Sequence, residues 1–325
     1  MARVSECRTY LMGVTILWII LFHTSWYLWF PKIIELFQRS GNYGVDIFIF
    51  VSVYGLYHSM QKQLTLREWY IRRIKRITPS FVIVVTMLGL IGRWSITDYI
   101  KEITFIGFLL PNIQYEVVFW YIPAILIFYV IFPYVYKYRK RYLIWFLIPI
   151  SYVFCILFTN YIRNHDYSLF LCFFFMRIPV FLVGLLYADN EEMVMAFCKK
   201  KYLLVLFGVS AVSFLLLLAA CNRYLNSYLN QPSIYILGAL PFICFISYFL
   251  QEKIKIFNPI VLFCGKYSLQ LYLLHVAYIN IILHVDFFQV NQIHLFYIAI
   301  ALSFPSAFLL SKMEGYIVNI IDRKK

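Results

Sequence analysis

The sequence predicts an all-α integral membrane protein of about ten transmembrane helices with both termini cytoplasmic, and three observations carry that prediction. Of its 325 residues 63% are hydrophobic and only 14% charged, whereas a soluble domain carries roughly 25% charged residues. The apolar residues fall into runs long enough to cross a bilayer, which takes about 20 residues at about 1.5 Å each. The positive charges lie in short clusters between those runs, as juxtamembrane anchoring requires, so the formal net charge of +14 reads as membrane orientation and excludes nucleic acid as the partner.

The first run, from Tyr10 to Phe30, contains one ionisable side chain, His23. It is too long for the apolar core of a signal peptide and is read as an uncleaved first span. Further spans are expected at about 43–60, 78–92, 118–135, 142–160, 168–187, 202–220, 233–251, 258–284 and 293–312, the ninth interrupted at Gly265 and Lys266. One membrane domain over 1–325 accounts for the whole chain, with no low-complexity linker and no short-period repeat. With ten spans, 21 of the 29 Lys and Arg residues fall on the side of the N-terminus, six fall opposite, and Arg177 and Lys266 lie inside spans. That bias makes the N-terminal side cytoplasmic. The seven cysteines are scattered, without a CxxC pair, and read as core packing rather than as a disulfide framework or zinc site. No helix-spaced histidine pair with a carboxylate suggests a metal.

Several ionisable residues fall where lipid or protein must surround them. His23 lies in the outer half of the first span, and a titratable group there is a candidate site by default, the alternative being an interfacial histidine bonded to a neighbouring helix. Asp46 sits near the outer end of the second span at comparable depth. It is a candidate to orient an imidazole, the alternative being a carboxylate satisfied at a helix N-terminus. Arg72, Arg73, Lys75 and Arg76 form a dense cationic stretch on the cytoplasmic side, suited to phosphate oxygens or to lipid head groups, with Pro79 marking the start of the third helix. Trp120 and Tyr121 open the fourth span, where aromatics usually form the interfacial belt. Arg177 falls mid-span and needs a partner or a cavity. His275 is a second intramembrane imidazole, following Tyr272 on the same run.

Six ordered blocks then invite comparison: GVTILWIILFH ending at His23, GVDIFIFVSVYGL from Gly44, WYIRRIKRITP from Trp69, FWYIPAILIFYVIFP from Phe119, RIPVFLVGLLYA from Arg177, and GKYSLQLYLLH ending at His275. Together they resemble the membrane-bound acyltransferase-3 family of bacterial O-acyltransferases over essentially the whole chain. The resemblance implies transfer of an acyl group, most often acetyl, from cytoplasmic acyl-coenzyme A to a hydroxyl of a surface polysaccharide or lipid-linked sugar, in a multi-pass protein of the bacterial cytoplasmic membrane. It implies His23 as general base, Arg72, Arg73, Lys75 and Arg76 on the donor phosphates, and Trp120, Tyr121, Arg177 and His275 along the substrate cavity. Three positions depart from the family pattern. Met12 stands where an arginine usually lies eleven residues before the histidine, with Arg8 one turn earlier as a candidate substitute. Val53 and Tyr54 precede Gly55 in the second-span motif, and Val180 replaces an acidic residue. Two other readings share this scaffold: a non-enzymatic transporter or flippase of glycan intermediates, and a catalytically inactive relative.

Overall fold

The computed structural model describes residues 4–24, 32–62, 64–92, 94–109, 119–163, 169–193, 208, 211–212, 255–284 and 292–323. Every regular element among them is helical, and no strand occurs among the described residues. Leu66–Ile91, Arg141–Phe158, Phe170–Asp189 and His294–Arg323 are long and apolar enough to cross a membrane, and the broken pair Lys255–Lys266 with Ser268–Ile282 would make a fifth. The expected span at 233–251 lies outside the described residues, and that at 202–220 is described only at 208, 211 and 212. The described chain divides into two compact units, each assembled from three separate stretches of sequence.

The first unit comprises residues 1–62, 130–165 and 172–266. Helix α1 (Val4–His23) begins six residues before the expected span and ends at His23, where Thr24 closes a turn on the carbonyls of Ile20 and Leu21. The short amphipathic helix α2 (Lys32–Arg39) leads through a 3₁₀ turn (Ser40–Tyr43) into α3 (Gly44–Met60). The remaining helices used below are α4 (Leu66–Ile91), α5 (Ile96–Ile103), α6 (Ile106–Leu109), α7 (Tyr121–Lys137), α8 (Arg141–Arg163), α9 (Leu169–Phe175), α10 (Ile178–Asp189), α11 (Asn258–Lys266), α12 (Ser268–His284) and α13 (Gln292–Arg323).

Within this unit α1 packs most closely on α11. A Cβ on Gly13 would stand 2.0 Å from the Val261 carbonyl oxygen, and one on Gly265 would stand 1.7 Å from that of Thr9. Lipid tails are as apolar as leucine, so membrane helices associate through such close backbone contact, which only small residues permit. The sixth expected span is two helices, because Pro179 follows Arg177 at the first turn of α10. Pro lacks an N–H and its fixed φ suits a helix start better than an interior. The backbone turns at Met176 and Arg177 through bonds to the Cys172 and Phe174 carbonyls.

The second unit comprises 63–129, 166–171 and 267–325. Here α12 packs on α13 and both contact α4. The sequence reading that Pro79 begins the third helix is overturned: α4 starts thirteen residues earlier, at Leu66, and carries the whole cationic stretch. Its start is set by a capping box, in which the Thr65 hydroxyl accepts from the Glu68 N–H while the Glu68 carboxylate accepts from the Thr65 N–H at 2.9 Å. Pro79 lies inside the helix, as Pro133, Pro149 and Pro305 do in α7, α8 and α13, and bilayer helices tolerate such prolines when neighbours satisfy the released carbonyl.

Candidate active site

His23 closes α1, about 29 Å along the helix from Val4 at 1.5 Å per residue. Residues 25–30 of the expected first span lie outside the described residues. The end of α1 is fixed by three contacts. The Trp18 indole N–H donates to the Phe37 carbonyl at 2.7 Å, the Gln38 amide donates to the Thr24 hydroxyl at 2.8 Å, and Gly41 lies against the Trp18 carbonyl. Both Trp18 and Gln38 are buried, so α2 and the 3₁₀ turn brace the segment bearing the histidine.

The His23 Nδ1 lies 3.0 Å from the Ile19 carbonyl oxygen. A carbonyl can only accept, so Nδ1 carries the proton and the neutral ring keeps its lone pair on Nε2. The Phe22 ring stands edge-on at 5.1 Å. The orienting contact that the sequence reading gave to Asp46 is thus made by the backbone of the preceding turn.

Asp46 is engaged elsewhere. Its Oδ1 lies 3.0 Å from Arg177 Nε, and both residues are buried, at 1% and 6% exposure. The pair is a close ionic contact off the hydrogen-bond axis, since the same atoms make no well-aligned hydrogen bond to each other. The Arg177 Nη1 also donates to the Phe173 carbonyl at 3.2 Å, and the guanidinium lies 5.7 Å from the Phe173 ring centre. The Cys155 thiol of α8 donates to the Phe175 carbonyl at 2.8 Å. The turn between α9 and α10 therefore delivers the intramembrane cation to the first turn of α3.

The departures from the family pattern also acquire contacts. Arg8 lies with its guanidinium against Gly55, where a Cβ would meet Nη2 at 3.1 Å. Fifteen residues, or about 22 Å of helix, separate it from His23, so it serves α3 rather than the histidine end of α1. Met12 is half-buried. Tyr54 donates its hydroxyl to the Glu191 carboxylate at 2.9 Å, and Tyr57 donates to Asp189 at 2.7 Å. Asp189 also takes Arg139 Nε at 3.2 Å, and the Arg139 guanidinium stacks 3.7 Å from the Tyr136 ring centre. These aromatics on α3 thus hold the C-terminal end of α10.

In the second unit the cationic stretch divides. Arg72 and Arg76 share one face of α4 at i, i+4 spacing and are exposed. Arg73 lies 5.4 Å over the Trp69 ring, and Lys75 pairs with Asp322 of α13. Trp120 occupies the turn before α7, with its ring 6.4 Å from that of Tyr121. The Tyr121 ring meets that of Tyr272 at 5.3 Å. His275 is 1% exposed, with Nδ1 2.7 Å from the Leu271 carbonyl oxygen, which sets the same tautomer as in His23.

Sequence reasoning missed Glu102, on the inner face of α5 at 4% exposure. Desolvation pushes its carboxyl up to about 7, against a smaller downward pull from the Phe119 N–H. The alternation of exposed Ile96 and Ile100 shows which face of α5 points away, yet a polar residue on the other face carries no sequence mark. The Thr65-x-x-Glu68 capping box was missed as well, although that residue pattern is a sequence mark of a helix start. Among the described residues no group of three or more His, Cys, Asp or Glu side chains is arranged to hold a metal.

A family model described as an acyltransferase domain matches residues 9–312. No curated protein and no solved structure matches the chain. The matched range, nearly the whole chain, includes His23, the α4 cations, Arg177 and His275, and on that extent the chain belongs to the acyltransferase-3 family.

Proposed function

We infer that the chain is a membrane O-acyltransferase carrying an acyl group, most simply acetyl, from cytoplasmic acyl-coenzyme A to a hydroxyl of a surface polysaccharide or its lipid-linked precursor, in the bacterial cytoplasmic membrane. The observation that supports this most is the tautomer of His23. An alcohol is a poor nucleophile until a positioned base takes its proton, and imidazole suits that task near neutral pH. With Nδ1–H held by the Ile19 carbonyl, Nε2 is the nitrogen that accepts the acceptor's hydroxyl proton. The oxygen then adds to the thioester carbonyl and the carbon–sulfur bond breaks. The coenzyme leaves as thiolate and recovers the proton from the imidazolium. Arg72 and Arg76, exposed on one helix face, are the guanidinium pair for the donor phosphates. Asp46 acts through Arg177, keeping the α9–α10 turn in place, and is a positioning residue rather than a base.

The test is complementation of a strain lacking the gene with wild type and His23→Ala, with ester-linked acetyl on purified surface glycan measured by NMR before and after mild alkali. Wild type should restore an alkali-labile signal, and the variant, present at equal level in the membrane, should not. Glycan export that depends on the protein without any acyl ester appearing sinks the enzyme reading and leaves a transporter. Wild type that restores neither ester nor export leaves an inactive relative.

A further inference from the structure

The C-terminal helix α13 makes two ties to α4 that nothing in the transfer chemistry uses. Glu314 Oε2 accepts from the Ser80 hydroxyl at 2.5 Å and from the Gln270 amide of α12 at 2.6 Å. Ser80 and Gln270 are buried, at 0% and 7% exposure. Asp322 takes the Lys75 ammonium. Both acidic residues lie beyond the family match, which ends at residue 312.

The spacing of the two ties is consistent. From Ser80 back to Lys75 is five residues, about 7.5 Å of helix, and from Glu314 on to Asp322 is eight, about 12 Å. The helices therefore run antiparallel here and are pinned at two levels. A carboxylate within a span is costly unless its lone pairs are met. Glu314 meets them with donors from two other helices, so a slip of α4 along α13 would strand the charge and both donors together. Arg76 stands one turn before Ser80, and Arg72 one turn before that. Lys75, three residues after Arg72 and so its neighbour on the helix surface, is already occupied by Asp322.

We propose, resting on the acyltransferase reading, that Glu314 and Asp322 are positioning residues for donor binding. They fix α4 in register, take Lys75 out of the donor site and leave Arg72 and Arg76 to hold the phosphates of the coenzyme. Lys75 is a strut, not a ligand.

The experiment uses the purified full-length protein in detergent, with coenzyme A as the binding probe and acyl transfer as the kinetic readout. Glu314→Ala should raise the donor KM and the coenzyme A Kd by about tenfold, the scale of a lost charge-assisted hydrogen bond. At saturating donor kcat should stay within about threefold and the acceptor KM should not move. Glu314→Gln, which retains an acceptor oxygen, should fall between Glu314→Ala and wild type, and its elution as a folded monodisperse species guards against simple misfolding. Lys75→Asp and Asp322→Lys should each raise the donor KM, and the double swap should bring it back. The proposal is overturned if Lys75→Ala weakens coenzyme A binding as much as Arg72→Ala and the swap repairs nothing, since Lys75 is then itself a phosphate ligand. It is equally overturned if Glu314→Ala lowers kcat while leaving KM alone. Should wild type bind no coenzyme A, the acyltransferase reading falls with it. Should wild type bind while all four variants match it, only the role given to α13 falls.

Discussion

Replacing Arg177 by methionine removes the cation from a carboxylate that is 1% exposed, and the size of the resulting loss follows from the geometry. At 3.0 Å and an effective dielectric constant near 20, the attraction is about 5 kcal/mol. Breaking a buried pair by deleting one partner typically costs about 3–5 kcal/mol, because the survivor keeps its desolvation penalty without compensation. Arg177→Met should therefore destabilise the protein by about that amount, and Asp46→Leu should do comparable damage by stranding the guanidinium. The double variant Asp46→Leu/Arg177→Met should recover most of the loss, since replacing both charges by apolar groups leaves no orphan. Thermal unfolding of the four proteins in one detergent closes the double-mutant cycle. Additive losses in the double variant, or a cost below about 1 kcal/mol in either single one, would refute the pairing. Activity adds a second axis: a stable but inactive double variant would show that the charges position the site as well as hold the α9–α10 turn.

Other consequences are equally direct. His23→Ala should reduce turnover by about 10²–10⁴-fold, the usual contribution of a positioned base, with donor binding unchanged; retention of coenzyme A binding is the control. For Glu102, a folded-state value of about 7 against an ordinary 4.5 means that the folded protein holds the proton more tightly than the unfolded chain. Stability from this group is full below about pH 4.5 and falls by about 3 kcal/mol as pH rises to about 7, staying flat above. Glu102→Gln should flatten that profile and raise the melting temperature at pH 8 but not at pH 4. Gly265→Ala places a methyl group 1.7 Å from the Thr9 carbonyl oxygen, so the α1–α11 contact must open. A loss of about 1–3 kcal/mol is expected, visible as lower melting temperature and earlier proteolysis.

The membrane class and the family were legible in the sequence, because each rests on local information. Run length against bilayer thickness gives the membrane class, and motif order gives the family. Helix limits were legible only in part. The capping box at Thr65 announced where α4 begins, yet a proline was the more conspicuous mark, and Pro79 sits well inside the helix because it interrupts one hydrogen bond without ending the run. Partners were not legible. Asp46 and His23 are alike in depth on the sequence, but a carboxylate takes the nearest buried cation, and the helix break at Met176 and Arg177 brings that arginine to it from 131 positions away. His23 has its Nδ1 met on its own helix, by the Ile19 carbonyl four residues earlier.

The sequence by itself determined what the molecule is made to live in and which ionisable side chains fall among apolar runs, since hydrophobicity, charge and residue type are properties of single positions. The tertiary structure decided which neighbours those side chains meet and which of them stay exposed. Arg72, Arg73, Lys75 and Arg76 are equivalent as letters, but helical phase exposes two of them, lays the third on Trp69 and gives the fourth to Asp322. The physical reason is that a charge within or beside a membrane must be compensated by whatever the fold places within a few ångströms, and that distance is not written along the chain.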